Sequence, residues 1–438
     1  MKVSIISLGC DKATVDSERL VGSLVGHGAQ VVEEPESADV VLVNTCGFID
    51  AAKQESIDTI LQVAALKQSA GVRAVVAVGC LVERYKNDLE REIPEIDLLI
   101  GFNDLNKLVP RLASLGLITD PVATHPGVRQ YLGDSPHIRY LKISEGCDHS
   151  CAFCAIPLMR GEHRSEPIHR LVSEAQQLER EGAKEITLVA QDLGHFGRDS
   201  GPGGARLPDL LRTLLSETSV PWFRLLYVYP SGLGERLVEL MATEPRIVPY
   251  IDIPIQHASD TVLERMRRPE RQETIRKKVE LLRAAMPDIA IRTTVVLGFP
   301  GETDRDFRVL CDFIEEVEFE RVGTFTYSEQ EGTTAAALQD DVPDAVKSAR
   351  QEELNEIQRL ITEDRLGRFV GRETDMLVDG ATDPPERGYT HIGRVQWQAD
   401  DVDGVTYLSD VKSVRSGDLC RVKIEDNQDY DFYAKALK

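Results

Sequence analysis

Apolar positions along the chain fall into successive rhythms. Over residues 1–116, apolar runs near 2–7, 39–44, 73–78 and 96–100 alternate with stretches such as SERLVGSLVGHG and AAKQESIDTILQVAALKQ, where apolar residues recur at helical spacing. That alternation predicts β–α–β units, hence an α/β fold with a parallel sheet covered by helices. Residues 117–136 carry Pro, Gly and Asp with little periodicity and read as a linker. From 137 to 367 the rhythm resumes, with strand candidates HIRYLKIS, KEITLVAQD, WFRLLYVYP, YIDIPIQ, IAIRTTVVLGFP and ERVGTFTYS. Six repeats predict a full or partial β/α barrel with active groups on its C-terminal rim. The long amphipathic stretch PDAVKSARQEELNEIQRLITEDRLGRFVG closes this unit. Residues 368–438 change character: TDMLVDG, THIGRVQWQAD, VTYLSD and GDLCRVKIED read as short strands between turns, and predict a small all-β barrel.

Composition narrows the setting. The chain has 438 residues, 42% of them apolar, enough for ordinary cores in two or three domains. The opening MKVSIISLGCDK is not read as a signal peptide, because Asp11 and Lys12 interrupt its apolar run. No segment approaches the roughly 20 apolar residues of a membrane span. The expectation is a cytoplasmic protein with no membrane partner, where clustered cysteines favour metal or redox chemistry over disulfides. The net charge of −22 argues against a broad surface for nucleic-acid phosphates and suits a basic partner. Residues 371–438 hold nine Lys/Arg against fourteen Asp/Glu, which weakens the case for a nucleic-acid-binding barrel.

Six of the eight cysteines form two triplets. Cys147, Cys151 and Cys154 lie in SEGCDHSCAFCAIP, spaced C-x-x-x-C-x-x-C, so one tight loop can wrap them around a cluster. Cys10, Cys46 and Cys80 are far apart, but each ends an apolar run: VSIISLGC, DVVLVNTC and RAVVAVGC. Parallel sheets bind ligands beyond the carboxyl ends of their strands, and this topology brings the three together. A four-iron cube usually takes four thiolates, so three leave one iron open. Zinc is the rival for the compact triplet, although zinc sites usually pair two C-x-x-C knuckles. Three separate core thiols are the rival for the dispersed one.

C-x-x-x-C-x-x-C after the first strand of a β/α barrel resembles the radical S-adenosylmethionine enzymes. SLGCDKATVDSE, VNTCGFID and VGCLVERY resemble the N-terminal domain of methylthiotransferases within that group, and the likeness covers essentially the whole chain, including a C-terminal TRAM barrel. The resemblance implies two 4Fe-4S clusters, on Cys147, Cys151 and Cys154 and on Cys10, Cys46 and Cys80, with S-adenosylmethionine as cofactor. GCDKATVDSE is closer to the GCPKNLVDSE of the RimO-type branch than to the GCQMN of the MiaB-type branch. CAIPLMRGEHRS, LVAQDLGHFG, RLLYVYPSG, YIDIPIQHASDTVLERMRR and VVLGFPGETDRDF also resemble RimO-type enzymes. That branch implies methylthiolation of an aspartate β-carbon of small-subunit ribosomal protein S-twelve, a basic protein. A flavodoxin or ferredoxin is the expected type of electron donor. The alternatives are the same chemistry on a tRNA adenosine beside the anticodon, or a non-enzymatic iron–sulfur protein. Two positions depart from the pattern: Ala13 replaces the family's Asn, and Glu166 replaces the second Arg of RSRP.

Further candidates carry two readings each. Gln191 and Asp192 end a barrel strand, where they either contact S-adenosylmethionine or cap the strand. Gly298 and Glu302, with Gly301, suit close backbone approach to the cofactor, or else form a strand-to-helix turn. Tyr227 and Tyr229 read as barrel packing and His149 as a solvent-facing residue. Cys311 and Cys420 read as packing within a helix and a strand. DDVDG at 400–404 reads as a hairpin turn rather than a calcium loop.

Overall fold

A computed structural model describes residues 1–118, 128–133, 135–386, 388–409, 411 and 413–437, with the side chains of 383–386 excepted. Much of the linker expected at 117–136 lies outside the described residues.

The first rhythm folds as predicted into a five-stranded parallel sheet. Its order is Gln30–Val31, Lys2–Ser7, Val40–Thr45, Ala74–Gly79, Leu98–Gly101. Val40–Thr45 and Ala74–Gly79 are buried at every position, because helices cover both faces of a parallel sheet. The edge strand Gln30–Val31 escaped the sequence reading: it is two residues long and exposed, so it carries no apolar signal.

The second rhythm gives a six-stranded parallel sheet, ordered Arg321–Thr326, Ala290–Leu297, Ile247–Asp252, Trp222–Leu225, Glu185–Val189, Ile138–Lys142. It is a partial barrel with two edges, and the N-terminal domain touches both. From the helix Asp11–Gly26, Asp16 and Arg19 pair with Lys142 and Glu174. On the other edge, Arg84 donates to Gln330 Oε1 at 2.9 Å and Ser328 donates to Asp50 Oδ2 at 3.0 Å. The helix Asp344–Gly367 lies along the outer edge strand, with Gln351 donating to the Thr324 carbonyl.

The third region closes into a five-stranded barrel: Glu373–Glu386, Tyr389–Val395, Thr406–Ser409, Asp431–Ala436, Leu419–Gln428. Four strands were legible in the sequence; Asp431–Ala436 was not counted. Asp400–Gly404 forms a turn between strands as expected, with Asp401 at φ 61°. Met376, Leu377, Val395 and Trp397 share a core with Ile138, Trp222 and Ala290, the first residues of three large-sheet strands. The small barrel therefore plugs the N-terminal end of the partial barrel, away from its C-terminal rim.

That junction contains a buried charge knot. Glu185 is fully buried and accepts from Arg224 Nε at 2.5 Å and from Arg394 Nη1 at 2.8 Å. Burial alone would raise the Glu185 pKa, but the two guanidinium groups outweigh it and hold it at about 2. Because the folded value lies below the ordinary 4.5, this stabilisation is complete above about pH 4.5 and fades as pH falls towards 2. Replacing Arg394 with Met leaves Glu185 half-compensated and should cost about 3–5 kcal/mol. Chemical denaturation across pH 3–7 checks this. A Glu185→Gln/Arg394→Met double variant should recover part of the loss and flatten the acid limb.

Candidate active site

Each triplet is built by the same local device. Gly9, Gly79 and Gly146 directly precede Cys10, Cys80 and Cys147, with φ of 100°, 100° and 74°. Side chains rarely adopt that backbone conformation, and here the space is also closed. A Cβ on Gly9 would meet Cys46 Cβ at 3.2 Å, and one on Gly146 would run into the Glu162 carbonyl. The glycine turns the chain sharply just before the thiol; Cys80 and Cys147 are buried there, while Cys10 is exposed.

Cys10, Cys46 and Cys80 follow three adjacent strands, two of which flank the point where strand order reverses. Asn44 donates to the Ala13 carbonyl at 3.0 Å and Ser56 to the Cys46 carbonyl at 3.0 Å, fixing the loops that carry the thiols. Burial pushes the Cys80 thiol up to about 11 and raises Cys46, and the neighbouring thiols add to the rise. Arg160 opposes it at both. Three clustered thiols suit a soft metal that replaces their protons.

Cys147, Cys151 and Cys154 lie in a loop stapled to the barrel. Cys147 N donates to the Gly161 carbonyl at 3.1 Å, and Ala152 N to the Met266 carbonyl at 2.9 Å. Ile156 N lies 3.5 Å from Cys154 Sγ, and Arg268 Nη1 lies 3.6 Å from Cys151 Sγ. Burial pushes Cys147 to about 11 and Cys154 to about 12. N–H groups aimed at sulfur, with no fourth cysteine in the loop, fit an iron–sulfur cluster with one open iron.

The aromatic and histidine residues nearby were misread from sequence. His149 is partly buried, stacked on Tyr229 at 4.2 Å, and hydrogen-bonded through Nε2 to Asp192 Oδ2 at 2.8 Å. Tyr229 in turn lies 4.1 Å from the Arg268 guanidinium, which is also buried. Tyr227 has φ 64° and presents its ring to the Lys12 ammonium at 3.5 Å. Alternation along WFRLLYVYP suggested packing because period-two patterns describe a strand, and both tyrosines lie just beyond its end.

The cofactor-contact candidates divide. Asp192 accepts from Gly194 N at 2.8 Å and Tyr229 N at 3.2 Å as well as bonding His149, so it acts as a strand-end cap that also props the cysteine loop. Gln191 donates to Glu145 Oε1 at 3.3 Å, while its own Oε1 is buried without a partner among the described residues. Glu302 accepts from Gly298 N at 2.7 Å, Phe299 N at 3.2 Å and Arg350 Nη1 at 2.9 Å, so it locks the turn. Gly298, at φ 72°, leaves room for the Lys347 side chain. Cys311 packs in the barrel core and Cys420 is half-buried, as expected. Ala13 is buried, and Glu166 faces Arg19 and Arg170 in a surface cleft.

The two triplets meet. Cys80 packs on Ala155 and Met159, in the segment that follows Cys154. Arg160, next in that segment, donates to Asp16 Oδ2 at 3.1 Å and Glu145 Oε1 at 3.0 Å. Lys142 donates to Glu145 Oε2 at 2.7 Å and also to Asp16. The sequence signal for this knot was slight: Asp16, Glu145 and Arg160 all lie near cysteine motifs, but the four residues belong to two domains and nothing local pairs them.

Fold and site define a radical S-adenosylmethionine protein with an added N-terminal sheet. Residues 141–314 match the radical SAM superfamily, 370–437 the TRAM domain, and 2–101 the uncharacterized protein family UPF0004. The radical S-adenosylmethionine methyltransferase TsrM from Kitasatospora setae shares the fold, with a TM-score of 0.55 and 16% identity over 74% of this chain and 72% of that one. Ribosomal protein uS12 methylthiotransferase RimO of Geobacter sulfurreducens is 40% identical over 100% of this chain and 98% of its own. The RimO of Aquifex aeolicus is 42% identical over 98% and 96%. The chain belongs to the RimO family of ribosomal protein uS12 methylthiotransferases.

Arg160 lies on the segment that follows the compact triplet and acts on Cys46 and Cys80 of the other. Arg160→Met should cost about 3–5 kcal/mol, because Asp16 and Glu145 are then left buried with Lys142 alone. Denaturation of Arg160→Met, Asp16→Asn and their double variant should show strong non-additivity, the double being less harmful than the sum.

Proposed function

We propose that this protein adds a methylthio group to an aspartate β-carbon of ribosomal protein uS12 in the cytoplasm. The observation that carries the reading is the junction of two three-thiol sets, Cys10, Cys46 and Cys80 against Cys147, Cys151 and Cys154, through the Cys80–Ala155–Met159 contact. Full-length kinship with uS12 methylthiotransferases supports it. When bound, a cluster on Cys147, Cys151 and Cys154 would supply the electron that turns S-adenosylmethionine into the hydrogen-abstracting radical, a cluster on Cys10, Cys46 and Cys80 would supply sulfur, and a second S-adenosylmethionine would supply the methyl group.

The chain's own residues do the positioning. His149, pinned between Tyr229 and Asp192, fixes the loop carrying Cys147 and Cys151. Burial, with Cys151 next, pushes the Tyr229 hydroxyl well above its ordinary value, so it stays protonated beside the thiols. Gln191, with its unpartnered Oε1, is our choice for contact with the amino group of S-adenosylmethionine; Asp192, Gly298 and Glu302 shape the walls around it. A flavodoxin- or ferredoxin-type donor supplies the electron. The chain divides into domains at 1–116, 137–367 and 368–438, a division supported by family matches that each fall within one of them. Among the described residues no helix is long and apolar enough to cross a membrane. The tRNA reading is weaker: the terminal barrel is net acidic and caps the far end of the partial barrel.

Anaerobic reconstitution should give about eight irons per chain, two cubes. Replacing Cys147, Cys151 and Cys154 with Ala should leave about four irons and abolish S-adenosylmethionine cleavage. Replacing Cys10, Cys46 and Cys80 should keep cleavage but stop methylthiolation. Mass spectrometry of uS12 and of digested tRNA from cells lacking the gene gives the substrate. Loss of methylthio-adenosine with unchanged uS12 would overturn the proposal.

A further inference from the structure

We infer that Lys12 reads the carboxylate of the substrate aspartate, an assignment that rests on the function proposed above. Lys12 lies two residues after Cys10, on the first turn of the helix Asp11–Gly26, yet its ammonium crosses to the barrel rim and sits 3.5 Å above the Tyr227 ring. It is only 9% exposed. It thus stands where the N-terminal thiols face the C-terminal ends of the barrel strands, the place a substrate carbon must occupy to be reached from both.

Other cations around the site are spent on protein carboxylates. Lys142 and Arg160 each bind both Asp16 and Glu145, and Arg292 donates to Asp252 at 2.8 Å. Lys12 has one ion-pair partner among the described residues, Asp11 at 3.2 Å. An ammonium has three N–H donors, so this contact leaves it able to bind a second carboxylate.

Tyr227 supplies an independent observation. A tyrosine at φ 64° is strained, and strain of this kind is kept where the surroundings enforce it. Tyr227 N donates to Asp252 Oδ2 at 3.2 Å and its carbonyl accepts from Leu193 N at 2.9 Å. Those bonds hold the backbone so that the ring lies flat beneath Lys12, steering the ammonium by its π face. A purely structural Lys–Asp pair on a helix surface would need no such platform.

The test compares uS12 carrying the modified aspartate with uS12 in which that residue is Asn, titrated into the cluster-loaded enzyme. The wild-type enzyme should bind the Asp form about tenfold more tightly, the worth of a charge-assisted hydrogen bond. Lys12→Met should erase the preference and Lys12→Arg should restore it, with iron content per chain confirming an intact site in each. Lys12→Met that keeps the full Asp-over-Asn preference overturns the assignment. Failure of the wild-type enzyme to modify uS12 at all overturns the underlying reading, and the assignment with it. Loss of affinity for both forms equally, with the ratio unchanged, makes Lys12 a structural residue and also overturns the inference.

Discussion

The structure depends on holding two sets of three thiols on different domains face to face. Neither set can define the other's position, because one is an eight-residue loop and the other is gathered from three strand ends. The constraint is met by the buried knot of Asp16, Lys142, Glu145 and Arg160. Asp16 belongs to the helix that starts at the first thiol, and Arg160 closes the short helix after the last. Two cations and two anions, each bonded to both opposites, satisfy one another where water is scarce. Such a knot adds little net stability compared with an apolar core, since desolvation offsets most of the attraction. Its value is positional: a sliding interface would leave charges unpaired, whereas a greasy one would tolerate displacement.

The rest of the architecture follows from that requirement. A complete barrel would leave no edge for the N-terminal domain to engage, so the six-stranded sheet stays open. The added domain spans both edges with polar contacts at Glu174, Lys142, Ser328 and Gln330. An open sheet also needs its other end sealed. The small barrel does this through Trp397, Met376 and the Glu185–Arg224–Arg394 knot. Both knots use arginine, whose planar fork can serve two acceptors at once.

The elements and the two groups of thiols were legible because each obeys a short-range rule. Runs such as VVLVNT and AVVAVG, short and rich in β-branched residues between helical stretches, read as strands covered on both sides, and thiols at fixed spacing keep their meaning without a fold. What failed depended on long-range partners. His149 looked solvent-facing because the stacking ring, Tyr229, lies far along the chain. Tyr227 looked like packing because its strand pattern runs smoothly into a residue with positive φ. From sequence, Asp192 reads as a strand-end polar group and Glu302 as part of a turn or a ligand site, yet only coordinates show their oxygens already engaged by backbone N–H groups. The glycine before three of the six thiols was present in SLGC, VGC and EGC, a signal that could have been read.

Charge distribution connects these points. The chain carries 73 acidic and 51 basic residues, but Lys12, Lys142, Arg160 and Arg268 are all buried around the thiols. Burying a cation is costly unless an anion compensates. For Lys142 and Arg160 the compensation is visible in Asp16 and Glu145. For Arg268, Glu270 lies 3.2 Å from Nε while Nη1 points at Cys151. Thiols raised by burial cannot ionise unaided, so a site that must hold thiolates needs fixed positive charge close by. The cations are folded into place by protein carboxylates; Arg160 opposes the rise at Cys46 and Cys80, and Arg268 opposes it at Cys154.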